Sequence, residues 1–515
     1  MMLSVHRSLL VFIVFAIMAS LTLGGNPFDG QDWTPLQIHL ALAGRDETGR
    51  SNGMSVMWNT KLQTDSSIVK YGEVSGNLNK QITGSSSAYY VTYNHVAVIT
   101  DLKPDTVYYY IVGDEKKNSW SKERSFRSAP LAENLRENWA FTYMADLGVI
   151  NGSPSTDYVG TMLPSSPTVE QGEKVRLVWH AGDAGYADDA FTHWGCYAKF
   201  CYEDTLDTYM QSASDKWAAQ VPYMLTPGNH EADCHDPACL ASKHRREALR
   251  NFTAYNARFH MPSVESNGTL NMHYSFNYGN VHFLSIDTET GFPNAPLAKR
   301  YILPCGGFAD QMSWIENDLK RANLPENRKA QPWVLVAGHR PMYDQSEVNV
   351  DFQKAMEDLF YKYGVDVYFA GHRHWYTRNY PVYKDVVDPN LYQNPKATTH
   401  ITAGGAGNDE MKDIQRKLFL AADAAARAAA GEQGEPGVEK PVDPSPADLT
   451  MVRKTSPAAG AWNAVNDLDN HVGITKVTII NDNKLRIDYI RTKTGEIYDT
   501  VTLERDHSAG KYPQV

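Results

Sequence analysis

The chain has 515 residues, 42% of them hydrophobic and 21% charged. That is ordinary globular material, long enough for two or more domains and a sizeable core. A formal net charge of −11 with no basic stripe excludes nucleic acid as the main partner, but not a small anionic substrate, because a bound metal ion would set the local field.

The N-terminus reads as an address. Arg7 precedes an apolar run from Leu9 to Met18, and small residues Ala19, Ser20, Gly24 and Gly25 follow. This predicts a secretory signal peptide over 1–24. A retained anchor is the alternative, but the run is shorter than the roughly 20 apolar residues a spanning helix needs. With no second span, the mature protein is expected to be soluble, outside the membrane, in the extracellular space or a vacuolar or lysosomal lumen. Export permits disulfides. Cys196, Cys201, Cys234 and Cys239 form two close pairs of equal spacing. Local bridges are the simplest pairing and a zinc knuckle is the rival. Cys305 is left over, either free or joined to a second copy in a homodimer. Asn151, Asn251 and Asn267 head glycosylation sequons.

Residues 34–130 look all-β. Met54-Ser55-Val56-Met57-Trp58 and the stretch around His95 to Ile99 alternate in polarity. Leu102, Pro104, Thr106 and Tyr108 mark a turn into the strand Val107 to Val112. Short strands between turns imply a β-sandwich, and the pattern resembles a fibronectin type III-like module. From about 137 to 505 the grammar is α/β. Six apolar runs read as strands: Trp139 to Met144, Val175 to Trp179, Val221 to Leu225, Val281 to Ile286, Trp333 to Ala337 and Val365 to Ala370. Gln311 to Ala322 and Phe352 to Tyr363 have helical spacing. An Ala-rich stretch from Asp409 and a Glu/Pro/Gly-rich loop after it read as a surface insertion, 409–460. Three alternating strands close the chain between Gly473 and Leu503.

Five of the six runs are followed at once by residues that bind metals. These are Asp146; Asp183 and Tyr186; Asn229 and His230, with Glu231; His339; and His372 and His374. Ligands in α/β folds lie beyond the carboxyl ends of strands. Carboxylate, phenolate, amide oxygen and imidazole are hard to borderline donors, with no thiolate among them. Seven side chains suffice for two ions if Asp183 bridges. Two ions about 3.5–4 Å apart are a known device for phosphoryl displacement, with a hydroxide on the metals as attacking group.

These blocks resemble those of the metal-dependent phosphoesterases, and specifically the purple acid phosphatases, over roughly 34–505. The wider superfamily carries Asp-x-His in its first block; here residue 148 is Gly, and Tyr186 supplies the replacement. The resemblance implies a four-layer α/β/β/α sandwich behind the β-sandwich. It implies a ferric ion on Asp146, Tyr186 and His374, and a second, divalent ion (iron, zinc or manganese) on Asn229, His339 and His372, with Asp183 bridging. His230 is implied to face substrate as proton donor. Trp375, Tyr376, Arg378 and Thr402 to Gly405 would form site wall, and Arg373 would point outward. Plant-type members carry a histidine pair where this chain has Val348-Asn349, a departure that leaves the second acid group and the substrate preference open. The expected activity is hydrolysis of small phosphate monoesters in acid. A phosphodiesterase or nucleotide pyrophosphatase on the same site, and a non-catalytic surface recognition protein, are the alternatives.

Overall fold

A computed structural model of the chain describes residues 32–166, 174–192, 196, 199–300, 305–345, 347–411, 452–454, 460–469 and 471–507. The leader predicted over 1–24 and most of the insertion predicted over 409–460 lie outside the described residues. No helix among the described residues is long and apolar enough to cross a membrane.

The first part is a sandwich of two antiparallel sheets. One runs in the order Leu36–Ala43, Gly53–Thr60, Thr92–Ile99, Ser85–Tyr89; the other is built on Lys80–Thr83, Ile68–Gly72 and Val107–Asp114. Alternation buries one face of each strand, so that Trp58, Val69, Tyr108, Val112 and Phe126 fill the space between them. Strand Leu36–Ala43 is buried on both faces because its outer face lies on helix Tyr202–Ala213 of the second part. A buried polar cluster rivets the two parts there. The Arg258 guanidinium donates to Gln37 Oε1 (2.8 Å), Glu203 Oε2 (2.7 Å) and Asp207 Oδ1 (3.0 Å). Tyr89 donates to Glu203 Oε1 at 2.9 Å.

The second part packs two sheets face to face. Tyr223–Thr226, Val175–Ala181 and Trp139–Met144 run parallel and continue into the antiparallel Gly473–Asn481, Lys484–Arg491 and Glu496–Glu504. The opposing seven-stranded sheet is centred on parallel Val281–Ser285, Trp333–Ala337, Val367–Ala370 and Thr399–Ala403. Both faces of these strands are covered, so their sequences are continuous apolar runs rather than alternating ones. Aromatic pairs seal the seam: Phe141 and Trp179 each meet Phe283 with centroids 5.1 Å apart, and Tyr143 meets Phe369 at 4.6 Å. Parallel strands in both sheets direct their carboxyl ends to one edge, where the site lies.

The predicted elements hold, with boundary shifts that local chemistry explains. Helix Gln311–Ala322 starts where Asp310 caps it, accepting from the Ser313 N–H at 3.1 Å. Helix Val350–Lys362 begins two residues earlier than its apolar spacing predicts, because Asn349 Oδ1 accepts from the Phe352 N–H at 3.2 Å. Cys196–Cys201 and Cys234–Cys239 are disulfides, so the zinc knuckle is excluded. Cys305 is buried.

His95 stacks on Trp58, ring centroids 5.0 Å apart, with its two nitrogens against the hydroxyls of Ser67 and Thr60 at 2.8 Å. Burial holds its pKa down at about 4 instead of 6.5. The unfolded chain takes up this proton below 6.5 and the folded chain only near 4. Stability therefore falls as pH drops through that window, by about 3 kcal/mol from this residue. Thermal unfolding of His95→Gln is expected to lose less stability between pH 7 and 4.5 than the parent does. An equal loss in both would show that His95 is already charged in the fold.

Candidate functional site

Five loops, each leaving the carboxyl end of a strand, bring the seven predicted metal ligands and His230 into one pit. Trp139–Met144 delivers Asp146; Val175–Ala181 delivers Asp183 and Tyr186; Tyr223–Thr226 delivers the turn Asn229–Glu231; Trp333–Ala337 delivers His339; Val367–Ala370 delivers His372 and His374. The backbone is left-handed at Asp146 (φ 62°), Asp183 (58°), Tyr186 (55°) and His372 (66°). Each such residue costs on the order of 1 kcal/mol, a strain that clusters at functional sites. Clearances are equally specific. A Cβ on Gly228 would fall 2.3 Å from Asp183 Oδ1, and one on Gly371 would fall 2.4 Å from Asp146 Oδ2. At Gly148 a Cβ would meet Asn408 at 3.1 Å and the Tyr186 ring at 3.3 Å. The tyrosine thus crowds the space a side chain at 148 would enter.

The ligand-type atoms fall into two groups. In one, Tyr186 Oη lies 2.9 Å from His374 Nε2 and 3.2 Å from Asp146 Oδ1, and the last two are 3.3 Å apart. In the other, His339 Nε2 lies 2.9 Å from Asp183 Oδ2 and 3.1 Å from Asn229 Oδ1. Asp183, His339 and His372 each offer a ligand atom within 4.8 Å of the others. His339 Nδ1 is 2.8 Å from the Ala181 carbonyl; donating there fixes the ring and turns Nε2 into the pit.

These donors fit cations. Asp183 is fully buried, yet its Oδ2 accepts no hydrogen bond, a loss that a coordinated ion repairs. Its Oδ1 accepts from the His230 N–H at 2.9 Å. Burial opposes charge on Asp183, but His339 and His230 outweigh it and hold its carboxyl below the usual range. Burial, with the Asp146 and Asp183 carboxylates, pushes the Tyr186 phenol well above its ordinary pKa. Only strong positive charge reverses that. Burial would lower His339, but Asp183 and Asp146 raise it to about 9, which again marks an excess of negative charge in the pit.

Several supporting residues were not legible as such. The Glu231 carboxylate accepts from the N–H groups of Asp183 (2.9 Å), Ala184 (2.7 Å) and Gly228 (2.7 Å), clamping two ligand loops together. Asn408 donates to the Asp146 carbonyl at 3.1 Å and to Tyr186 Oη at 3.0 Å. Asp188 Oδ1 meets His230 Nδ1 at 2.8 Å, and the Tyr186 ring packs on the His230 ring at 4.2 Å. Arg340, anchored on Glu289 at 2.9 Å, reaches His372 Nε2 at 2.9 Å. The only signal for Asp188 was its place two residues beyond Tyr186; Asn408 is 222 residues from Tyr186, beyond any local pattern.

Other expectations find different places. Tyr376 and Arg378 bond to Asp499 on the strand Glu496–Glu504, at 2.7 and 2.6 Å, so they brace that strand. Arg373 turns to Glu347 at 3.0 Å and lines a shallow cleft beside His372 with Arg340, Asp344, Glu347 and Asn349. Val348 is buried and Asn349 is a helix cap, so these positions serve the fold. Of the sequons, Asn267 is exposed, whereas the amides of Asn151 and Asn251 donate to the carbonyls of Asn408 (2.9 Å) and Gly306 (3.3 Å).

Gly371→Ala places a methyl group against Asp146 Oδ2. We expect the purified variant to retain its circular dichroism and lose at least half of its bound metal. Undiminished metal content would show that Asp146 can move aside.

Residues 35–128 match the family described as "Purple acid Phosphatase, N-terminal domain", and residues 141–376 match "Calcineurin-like phosphoesterase". The chain is 34% identical to acid phosphatase A of Cryphonectria parasitica, over 73% of this chain and 81% of the relative. It is 32% identical to acid phosphatase type 7 of Danio rerio (74% and 80%) and 31% identical to probable purple acid phosphatase 20 of Arabidopsis thaliana (73% and 75%). Its fold is similar to that of purple acid phosphatase PPD1 from yellow lupin (Lupinus luteus) seeds, with a TM-score of 0.61 over 92% of this chain and 75% of that one, at 20% identity. Two groups of buried donors on these loops, in a chain so related, lead to one conclusion: the chain belongs to the purple acid phosphatase family and is an acid phosphatase with a dinuclear metal site.

Proposed function

We propose that this acid phosphatase is exported and hydrolyses small phosphate monoesters at an iron-containing pair of ions. Asp146, Tyr186 and His374 would hold a ferric ion, and Asn229, His339 and His372 a divalent iron, zinc or manganese ion, with Asp183 available to both. The observation that carries this reading is the buried Asp183 carboxylate, whose Oδ2 accepts no hydrogen bond and faces His339 Nε2 at 2.9 Å. A phenolate among oxygen and imidazole donors suits a trivalent hard cation. When bound, the ions supply Lewis-acid charge that activates water in acid and neutralises the phosphoryl oxygens.

The chain's own residues do the rest. Asp188 takes His230 Nδ1, so the remaining proton of His230 sits on Nε2. That atom stands 3.9 Å from Asp183 Oδ2 and 3.9 Å from Glu410 Oε1, at the mouth of the pit. As the ester P–O bond breaks, its electron pair stays on the alcohol oxygen, which takes the Nε2 proton; water supplies the oxygen that phosphorus keeps. Packing against the Tyr186 ring holds the imidazole in place. The leader expected over 1–24 and the two disulfides support export. Exposed Asn267 is the sequon best placed for glycosylation.

Three measurements test this. The purified protein is expected to absorb in the visible, and Tyr186→Phe to bleach it; a colourless parent with full activity would exclude ferric tyrosinate. His230→Ala should keep colour and metal while kcat on a phosphate monoester falls about 100-fold or more; loss of colour would make His230 a ligand instead. Monoester turnover is expected to exceed bis-ester turnover, and the reverse order would favour a phosphodiesterase.

A further inference from the structure

A second histidine stands behind His230. His235 lies in the short loop closed by the Cys234–Cys239 disulfide. Both sulfurs are buried, and Asp236 stiffens the loop by accepting from the Ala238 N–H at 2.7 Å. His235 Nδ1 is 3.0 Å from Asp188 Oδ2 and 3.5 Å from Asp189 Oδ1. Asp188 is fully buried, and its other oxygen is the one on His230 Nδ1. One carboxylate therefore faces two imidazoles, Oδ1 hydrogen-bonded to His230 and Oδ2 in an ion-pair contact with His235.

The surroundings need such a partner. Asp183, Asp188, Asp189 and Glu410 all lie within 4 Å of His230 nitrogens, and like charges this close repel one another strongly in a buried site. A carboxylate turns easily about its last torsion. Asp188 gripped on one side only could rotate away from His230. Burial would lower His235, but Asp188 and Asp189 outweigh it and raise its pKa to about 10, so it carries charge in acid.

We propose that His235 is a positioning residue for His230: it holds Asp188 Oδ2, which aims Oδ1 at His230 Nδ1 and keeps the transferable proton of His230 on Nε2. The Cys234–Cys239 bridge is the brace that keeps His235 there. This inference rests on the reading of His230 as proton donor to the leaving alcohol.

The test uses leaving-group dependence, which a purely structural role does not move. Ethyl phosphate needs a proton on its departing oxygen; para-nitrophenyl phosphate needs it far less. In the metal-loaded full-length enzyme, the ratio of kcat for the ethyl ester to kcat for the aryl ester is expected to fall at least tenfold in His235→Ala, with metal content and KM held. His235→Asn keeps a nitrogen donor at the position of Nδ1 and should retain the parental ratio; His235→Gln moves that donor outward and should not. The Cys234→Ser/Cys239→Ser double variant should behave like His235→Gln. If His235→Ala does not fold, the Asn and Gln pair decides. An unchanged ratio in His235→Gln, or equal losses on both esters, would overturn the proposal. His230→Ala separates the two claims. If it lowers the ratio and the His235 variants do not, His235 alone loses its role. If His230→Ala leaves the ratio unchanged, the proton-donor reading itself fails and this inference with it.

Discussion

A carboxylate taken out of water needs something positive to face, and Asp183 has been given only half of it. One oxygen accepts the His230 N–H; the other sits 2.9 Å from His339 Nε2 without accepting a hydrogen bond. Its loop is further held by Glu231, which takes the N–H groups of Asp183 and Ala184 and also that of Gly228. Asp183 thereby locks the second ligand loop to the third, and the third carries Asn229 and His230. The remaining pit is arranged around this point, with one donor group on the Asp146 side and one on the His339 side.

The fold maintains the arrangement against its own strain. Four ligand-type residues hold left-handed backbone angles, and glycines at 228 and 371 leave room for carboxylate oxygens where any side chain would collide. Such positions persist only when the scaffold over-determines them. Here the scaffold is two sheets sealed by aromatic rings, with parallel strands ending at the same edge. The β-sandwich contributes by a buried cluster around Arg258, where removing one partner would strand a charge at a cost of about 3–5 kcal/mol.

Much of this was legible in the sequence, for a physical reason. Strands covered on both faces are short apolar runs, and ligands that follow such runs directly announce themselves; Asp146, Asp183, Asn229, His339 and His372 are all of this kind. What was not legible depends on contacts distant in sequence. Asn408 reaching Tyr186, Glu289 anchoring Arg340 and Asp499 taking Tyr376 and Arg378 leave no local trace. One helix start differs, where a polar cap at Asn349, rather than the apolar spacing, sets the boundary. His235 was hidden differently, since its only mark was a place between two cysteines read as a simple bridge.

The most direct measurement is an anomalous-scattering map of crystals of the metal-loaded protein, collected at the iron edge and at the edges of zinc and manganese. The account predicts two peaks, one beside Asp146 and Tyr186 and one beside Asn229 and His339, about 3.5–4 Å apart with Asp183 between them. A single peak, or an ion held away from Asp183, would contradict it.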